Sequence, residues 1–376
     1  MKKKIAIIGS GIAGLTLANL LRKSLNCEFV VYEKGDALNL NEGYGVQLST
    51  NSTSILNHIG FDKFDKEKMY NPSKLDFYSK NLNKICDLDL TTFNSANTKY
   101  TTIKRSILIN FLKEKLLTNS ILFCKIINRV KQSDKKINIF FTDGSMEEVD
   151  YLIVSDGVFS SSKSIIENKV FKPIYSGAVA IRAQTKSQNI ANFNSNNISV
   201  VMGSEAHSVL YPVNKSKEFN LVSIIRKKFK NSGSPDVILE SAFFRENKNL
   251  RSLFEADLKL WPIYTSGNPI KSNYENVFYI GDAFYTFLPT MAQGTAQAIE
   301  SAYEIFNLIR SSENDIQNIY FKNRLKRTNL INKRSKLNYF GFHISNTILK
   351  LFRNKILKII VKNKKFINSY LGKVYE

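Results

Sequence analysis

The sequence predicts an α/β protein: a parallel-sheet domain, a mostly antiparallel sheet inserted into it, and helices at its C-terminal end. Three observations carry that prediction. Residues 4–8 (KIAII) are a short apolar run that meets Gly9-Ser10-Gly11-Ile12-Ala13-Gly14, followed by an apolar helical stretch over 15–25. Two more buried-strand patterns, 151–154 (YLIV) and 277–280 (VFYI), each run into an acid beside a glycine, Asp156-Gly157 and Gly281-Asp282. Between them, segments 177–185, 198–203, 208–213 and 219–226 are strand-rich, the pattern of a sheet inserted into an α/β framework.

In chain order, the first strand, glycine turn and helix lead to a second strand over 29–32, which ends at Glu33 about 20 residues beyond the glycines. The GxGxxG spacing therefore has the context that a Rossmann-type dinucleotide site requires. Gly9 makes the turn, Gly11 lets a pyrophosphate touch the backbone, Gly14 lets helix and strand close up, and Glu33 serves an adenosine ribose. Met1-Lys2-Lys3-Lys4 before an apolar run imitates a secretory signal, but the glycines interrupt that run and no small-residue cleavage site ends it. We read it as the first strand of the fold.

Gly43-Tyr44-Gly45-Val46-Gln47-Leu48 follows, with a helix expected over about 51–59. The two glycines bring backbone against a ring system or form an ordinary turn. Residues 100–104 read as a strand leading to Arg105 and a helix over 106–116; Arg105 pairs with a phosphate or caps a surface. Residues 121–154 alternate as strands with a turn at Asp143-Gly144. After the inserted sheet the chain returns through Leu260-Trp261-Pro262 to the strand at 277–280, a loop with Pro289, and a helix from Gly294 to about 309. Small residues crowd that helix start, where unpaired N–H groups and the positive end of the helix dipole lie. Asp282 ahead of it suits a ligand with hydroxyls at one end and delocalised negative charge at the other. A flavin fits, with its ribityl chain on Asp282 and the N1–C2=O edge of its reduced ring on the helix start.

A hydrophobic content of 43% marks a folded globular chain with room for one large or two modest domains. No apolar run reaches the ~18–20 residues of a membrane span. Cys27, Cys86 and Cys124 are scattered without a CxxC pair, so no metal site is expected and the thiols read as reduced, in or near the core, in a cytoplasmic protein. A net charge of +22 raises nucleic acid or an anionic membrane as partners. Lysine outnumbers arginine 42 to 12, however, as in chains from AT-rich genomes, and the charge is uneven: from Arg310 onward there are 16 basic and 3 acidic residues. No nucleic-acid module accompanies it, and no nucleic-acid partner is expected.

In combination, residues 9–14 with Glu33, Arg105, Asp156-Gly157, and Gly281-Asp282 with Pro289 and Gln293-Gly294 resemble the class A, FAD-dependent aromatic monooxygenases of the para-hydroxybenzoate hydroxylase fold. GYGVQLSTN (43–51), YTTIKRSIL (100–108), HSVLYPV (207–213) and MAQGTAQAIESA (291–302) are most similar to the salicylate hydroxylase and 6-hydroxynicotinate 3-monooxygenase branch. The resemblance extends to about residue 335. It implies a discontinuous FAD-binding domain (1–71, 99–174, 264–330), a substrate domain (72–98, 175–263) and a basic helical tail (331–376). Gly9, Gly11, Ile12, Ala13, Gly14 and Glu33 would hold the ADP half of non-covalent FAD, with Arg105 near the pyrophosphate. Gly281 and Asp282 would take the ribityl chain. Gly45 and the loop from Pro289 to Gly294 would border the ring, and Asp156 and Gly157 would be shared with transient NADH or NADPH.

The implied reaction is NAD(P)H reduction of FAD, oxygen addition at C4a, and transfer of OH from the hydroperoxyflavin to a small aromatic or related substrate. His207, Tyr211, Arg182 and Tyr285 are candidate substrate contacts, although Tyr211 could simply pack and His207 could lie on a surface strand. Two other readings stand beside this one: an FAD oxidoreductase acting on a lipid, terpenoid or quinone-like substrate, and a flavin-binding protein without turnover. Three positions depart from the family pattern: Phe284-Tyr285 in place of a histidine, Lys163 in place of an arginine, and Ser301 in place of an aspartate. Gly43, Gly45 and Pro289 would leave the ring room to move. In the tail, Ile344, Ile348, Leu351, Phe352, Ile356, Ile359 and Ile360 form one helical stripe flanked by lysines. It suits a peripheral membrane contact, a cover over the FAD domain, or a subunit interface in a monomer-or-homodimer protein.

Overall fold

The computed structural model describes residues 2–23, 27–38, 40, 44–186, 189–190, 192–228, 235–254, 258–311 and 314–375, so Gly43 lies outside the described residues. The strand Lys3–Ile8 is the middle of a five-stranded parallel sheet, between Tyr151–Val154 on one side and Cys27–Tyr32 on the other. Val277–Tyr279 and Ile121–Leu122 form its edges. Ile5, Ala6, Ile7 and Ile8 are all buried, as expected of a parallel strand covered on both faces. The helices Ile12–Arg22 and Gly294–Ser311 pack together beside this sheet. A three-stranded antiparallel sheet, Ile127–Ser133, Lys136–Phe141 and Met146–Val149, extends from it and turns at Gly144, whose φ is +84°.

The inserted sheet has seven strands, in the order Trp261–Thr265, Ile174–Lys186, Glu218–Arg226, Ala206–Pro212, Ile198–Met202, Lys74–Ser79, Lys84–Asp89. Neighbours are antiparallel except Ile198–Met202 with Lys74–Ser79, which are parallel. A small sheet of Gly45–Leu48, Thr101–Lys104 and Met69–Tyr70 completes the strands.

The C-terminal helices bridge the two cores: Ile316 and Tyr320 are buried with the parallel sheet, and Ile331 is buried against the inserted one. Ile316–Phe342 runs unbroken across residue 330, where the sequence suggested that a tail begins. Beyond it, Ile367, Leu371 and Val374 are buried in one cluster with Leu88, Ile198, Tyr211 and Phe287. The tail therefore covers the seven-stranded sheet and also meets the nucleotide side, where the Tyr375 carbonyl accepts from Thr50 Oγ1 at 3.3 Å and Phe287 and Met291 share its buried cluster. Of the three thiols, Cys27 and Cys86 are half-buried, but Cys124 is exposed rather than near the core. Among the described residues no helix is long and apolar enough to cross a membrane.

Candidate active site

The glycine turn carries the first part of the site. Gly9 has a φ of +99°, a region that favours glycine, and donates its N–H to the Tyr32 carbonyl at 2.8 Å. A Cβ on Gly14 would stand 2.1 Å from the Gly9 carbonyl oxygen, so helix and strand close up there only around glycine. At Gly11 nothing lies within 4 Å of such a Cβ, and its backbone borders open space at the start of the helix Ile12–Arg22. Glu33 accepts from the Ser10 N–H and Oγ at 2.9 and 2.6 Å, and from the Gly35 N–H at 3.0 Å. Burial pushes its carboxyl up, yet these hydrogen bonds outweigh burial and hold it below the usual range. Ile12 is half-buried, while Ala13 is buried where a Cβ on Gly281 would come within 3.0 Å of it.

Two acids follow the other parallel strands. Asp156 Oδ2 accepts from the Ser162 N–H at 3.2 Å, but its Oδ1 is buried with no partner among the described residues. Gly157 beside it turns at a φ of +87°. Asp282 opens onto a cavity, yet protein surrounds it closely enough that burial raises its carboxyl to about 6 against the opposing pull of Arg105. Arg105 begins the helix Arg105–Glu114 and donates its N–H to the Tyr44 carbonyl at 2.8 Å.

That cavity, of about 690 Å³, lies between the nucleotide side, the seven-stranded sheet and the tail. Gly45, Asp282, Pro289 and Gly294 line one side; nothing lies within 4 Å of a Cβ on Gly294. Strand alternation builds the opposite wall: His207, Val209 and Tyr211 from one strand, Asn220, Val222 and Ile224 from the next, Ala180 and Arg182 from the third. The tail closes it with Arg353, Leu357, Ile360 and Tyr370. The sequence reading missed that contribution, because its single stripe treats the helix as having one apolar face.

Three of the four candidate contacts meet here. Arg182 lies 5.1 Å from the ring centre of Tyr44 and 5.9 Å from that of Trp261, and its Nε has no partner among the described residues. His207 is buried, not on a surface strand. Its Nδ1 is 3.0 Å from His343 Nε2, and His343 Nδ1 is 2.9 Å from the Tyr339 carbonyl. The His343 ring also meets the Ile224 carbonyl, so it faces two backbone acceptors as well as His207. Burial holds both imidazoles neutral, His343 down at about 4. His207 Nε2 has no partner among the described residues, and it is an acceptor in the tautomer whose Nδ1 donates to His343. Tyr211 is buried and bonds Gln47, and burial pushes its phenol well up, so it donates rather than acting as a base. Tyr285 does not line the cavity: its ring packs 5.0 Å from Phe287 and its hydroxyl bonds Asn332, which removes it as a substrate contact.

This nucleotide turn beside a walled cavity has a counterpart among known proteins. The family described as FAD binding domain matches residues 2–314. The chain belongs to that family. It is 24% identical over 356 residues to 3-amino-4-hydroxybenzoate 2-monooxygenase of Streptomyces cremeus, covering 91% of this chain and 88% of that protein. It is 26% identical over 317 residues to 6-hydroxynicotinate 3-monooxygenase of Bordetella bronchiseptica, covering 80% and 81%. The crystal structure of Klebsiella pneumoniae HpxO complexed with FAD and uric acid shares the fold, with a TM-score of 0.86 at 18% identity over 99% of this chain and 96% of that one. The chain is an FAD-dependent monooxygenase with the fold of the aromatic hydroxylases.

The three departures from that family pattern have local explanations. Lys163 is buried and donates to the Ala283 carbonyl at 2.7 Å, pinning the turn Gly281–Ala283; burial lowers its ammonium to about 8. Ser301 accepts the Gly281 N–H at 2.9 Å, so a hydroxyl holds the same turn from the helix Gly294–Ser311. Phe284 is buried against Tyr320 and Phe321.

Proposed function

We propose that this FAD-dependent monooxygenase hydroxylates a small aromatic substrate bearing an anionic group, with non-covalent FAD, NADH or NADPH as reductant and dioxygen as oxygen source. The observation that carries the proposal is the cavity itself: Asp282 and the Gly294 helix start on one side, Arg182 and a neutral His207 on the other, apolar side chains between. The chain fits FAD by the open space at Gly11 and Gly294, the unpartnered Asp156 Oδ1, and the cavity-facing Asp282 carboxylate. Gly9, Gly14, Ile12, Ala13 and Glu33 would form the ADP side with Arg105 near the phosphates, and Gly45, Pro289 and Gly157 would border the remainder. When bound, FAD supplies acceptance of a hydride and, with dioxygen, delivery of one oxygen atom to an electron-rich ring.

The protein's own part is to bind, orient and keep water away. Arg182, already among aromatic rings, offers its charge to a substrate carboxylate. His207 Nε2 would accept a proton or hydrogen bond from a ring hydroxyl, and Tyr211 would donate one. The N–H groups at the start of Gly294–Ser311 favour negative charge on the flavin ring. We take the five-stranded and seven-stranded sheets as the cores of the two domains drawn from the sequence, and place the enzyme in a reducing, cytoplasmic setting. The test is isotopic. Purified protein, screened with aromatic and pyridine acids, should yield a product that gains one oxygen from labelled dioxygen; label arriving from water would overturn the proposal.

A further inference from the structure

The helix Thr347–Ile360 has two apolar faces. Leu357 and Ile360 look into the cavity. On the other side Ile348, Leu351, Phe352, Ile356 and Ile359 are 53–67% exposed, and no residue of this helix is fully buried. Five large apolar side chains side by side in water mark an interaction surface. The sequence around them is basic: Lys350, Lys355, Lys358 and Lys362 flank the stripe, and residues 316–375 contain no aspartate or glutamate. Asp87 of the strand Lys84–Asp89, on which the helix packs, is paired with Lys74 and Lys84.

That charge identifies the occupant. A second copy of the chain would bring an equally basic tail against this one, with Glu376 as the sole acid that residues 331–376 of each could offer. An anionic phospholipid bilayer answers both features, since its acyl boundary receives the apolar stripe and its headgroups neutralise the lysines. We propose that Thr347–Ile360 docks this protein on anionic membrane surfaces. Because the same helix walls the cavity, docking sets that wall against lipid. The reading rests on exposure and charge alone and stands independently of the reaction proposed above.

Flotation of the full-length, FAD-loaded protein tests it. The protein should float with phosphatidylglycerol–phosphatidylcholine vesicles at low salt, stay behind with phosphatidylcholine alone, and be released at about 0.5 M salt, where screening is short. The pairs Leu351→Asp/Phe352→Asp and Lys355→Glu/Lys358→Glu should each lower binding about ten-fold or more while FAD content stays unchanged. A Phe352→Trp variant should be quenched by brominated anionic lipid, whereas Trp261, which lines the cavity, should not. No flotation at low salt, or flotation that both variant pairs leave intact, would overturn the proposal. A vesicle-free dimer dissociated by Leu351→Asp/Phe352→Asp would assign the stripe to a second copy and overturn it equally.

Discussion

Gly11 and Gly14 lie three residues apart and should fail in opposite ways. A side chain at Gly14 meets backbone at 2.1 Å, which no rotamer relieves, so Gly14→Val should lose the fold. A side chain at Gly11 meets open space, so Gly11→Val should keep its circular dichroism and melt normally but purify without flavin absorbance. Flavin content at the wild-type level in Gly11→Val would break the pyrophosphate assignment. Asp282 makes a second residue-scale case. Its folded carboxyl titrates near 6, above the ~3.9 of an unfolded chain, so stability is lost as pH rises through that window and the loss is complete above it. Asp282→Asn should therefore raise the apoprotein's melting temperature at pH 7.5, change it little near pH 3.5, and weaken FAD binding at both. A lower melting temperature at pH 7.5 would show that the carboxylate is no burden there.

At the scale of elements, the His207–His343 contact joins the strand Ala206–Pro212 to the end of the helix Ile316–Phe342. Both rings are held neutral below the value of about 6.5 that they recover on unfolding. The unfolded chain thus takes up protons first as pH falls, and stability is lost from about pH 6.5 down to about 4. For His343 alone the loss between pH 7.5 and 5 should be roughly 2 kcal/mol. Urea midpoints at the two pH values should fall less for His343→Gln than for the wild type; equal falls would show that the pair does not titrate as described. This contact also shows where the sequence could and could not be read. The strands Lys3–Ile8 and Ala206–Pro212 announce themselves because local apolar pattern and final burial agree. His343 could not be placed, since nothing local tells a polar residue in a basic helix which distant strand it will meet. The strands Lys74–Ser79 and Lys84–Asp89 were hidden for a related reason: charged residues interrupt them, and one of these, Asp76, is buried and paired with Lys84 at 2.8 Å. Partnered polar groups at buried positions break the very alternation that reveals a strand.

For the whole molecule, the question is how a reduced flavin avoids wasting electrons on oxygen when no substrate is present. Gly45 offers the ring no slack. A Cβ there would come within 2.8 Å of Asn220, Tyr211 and Val213, and its N–H is held by Asn220 at 2.8 Å, so it serves close packing rather than a hinge. Room remains on the other side, where Pro289–Met291 gives way to Ala292 at a φ of +52° and then to the open Gly294. On the proposed reading, substrate seated between that loop and Arg182 would complete the enclosure, and the tail would supply the dry wall behind it. Basal NAD(P)H oxidation should be slow and rise about ten-fold or more with the true substrate, roughly 1.4 kcal/mol of barrier, with little hydrogen peroxide released. Leu357→Ser/Ile360→Ser would wet the tail wall without touching the nucleotide turn. FAD content should hold, while peroxide formed per NAD(P)H consumed rises several-fold. Fast oxidation indifferent to every ligand would show that substrate does not gate the flavin, and unchanged peroxide yield in the double variant would show that the tail is cover alone.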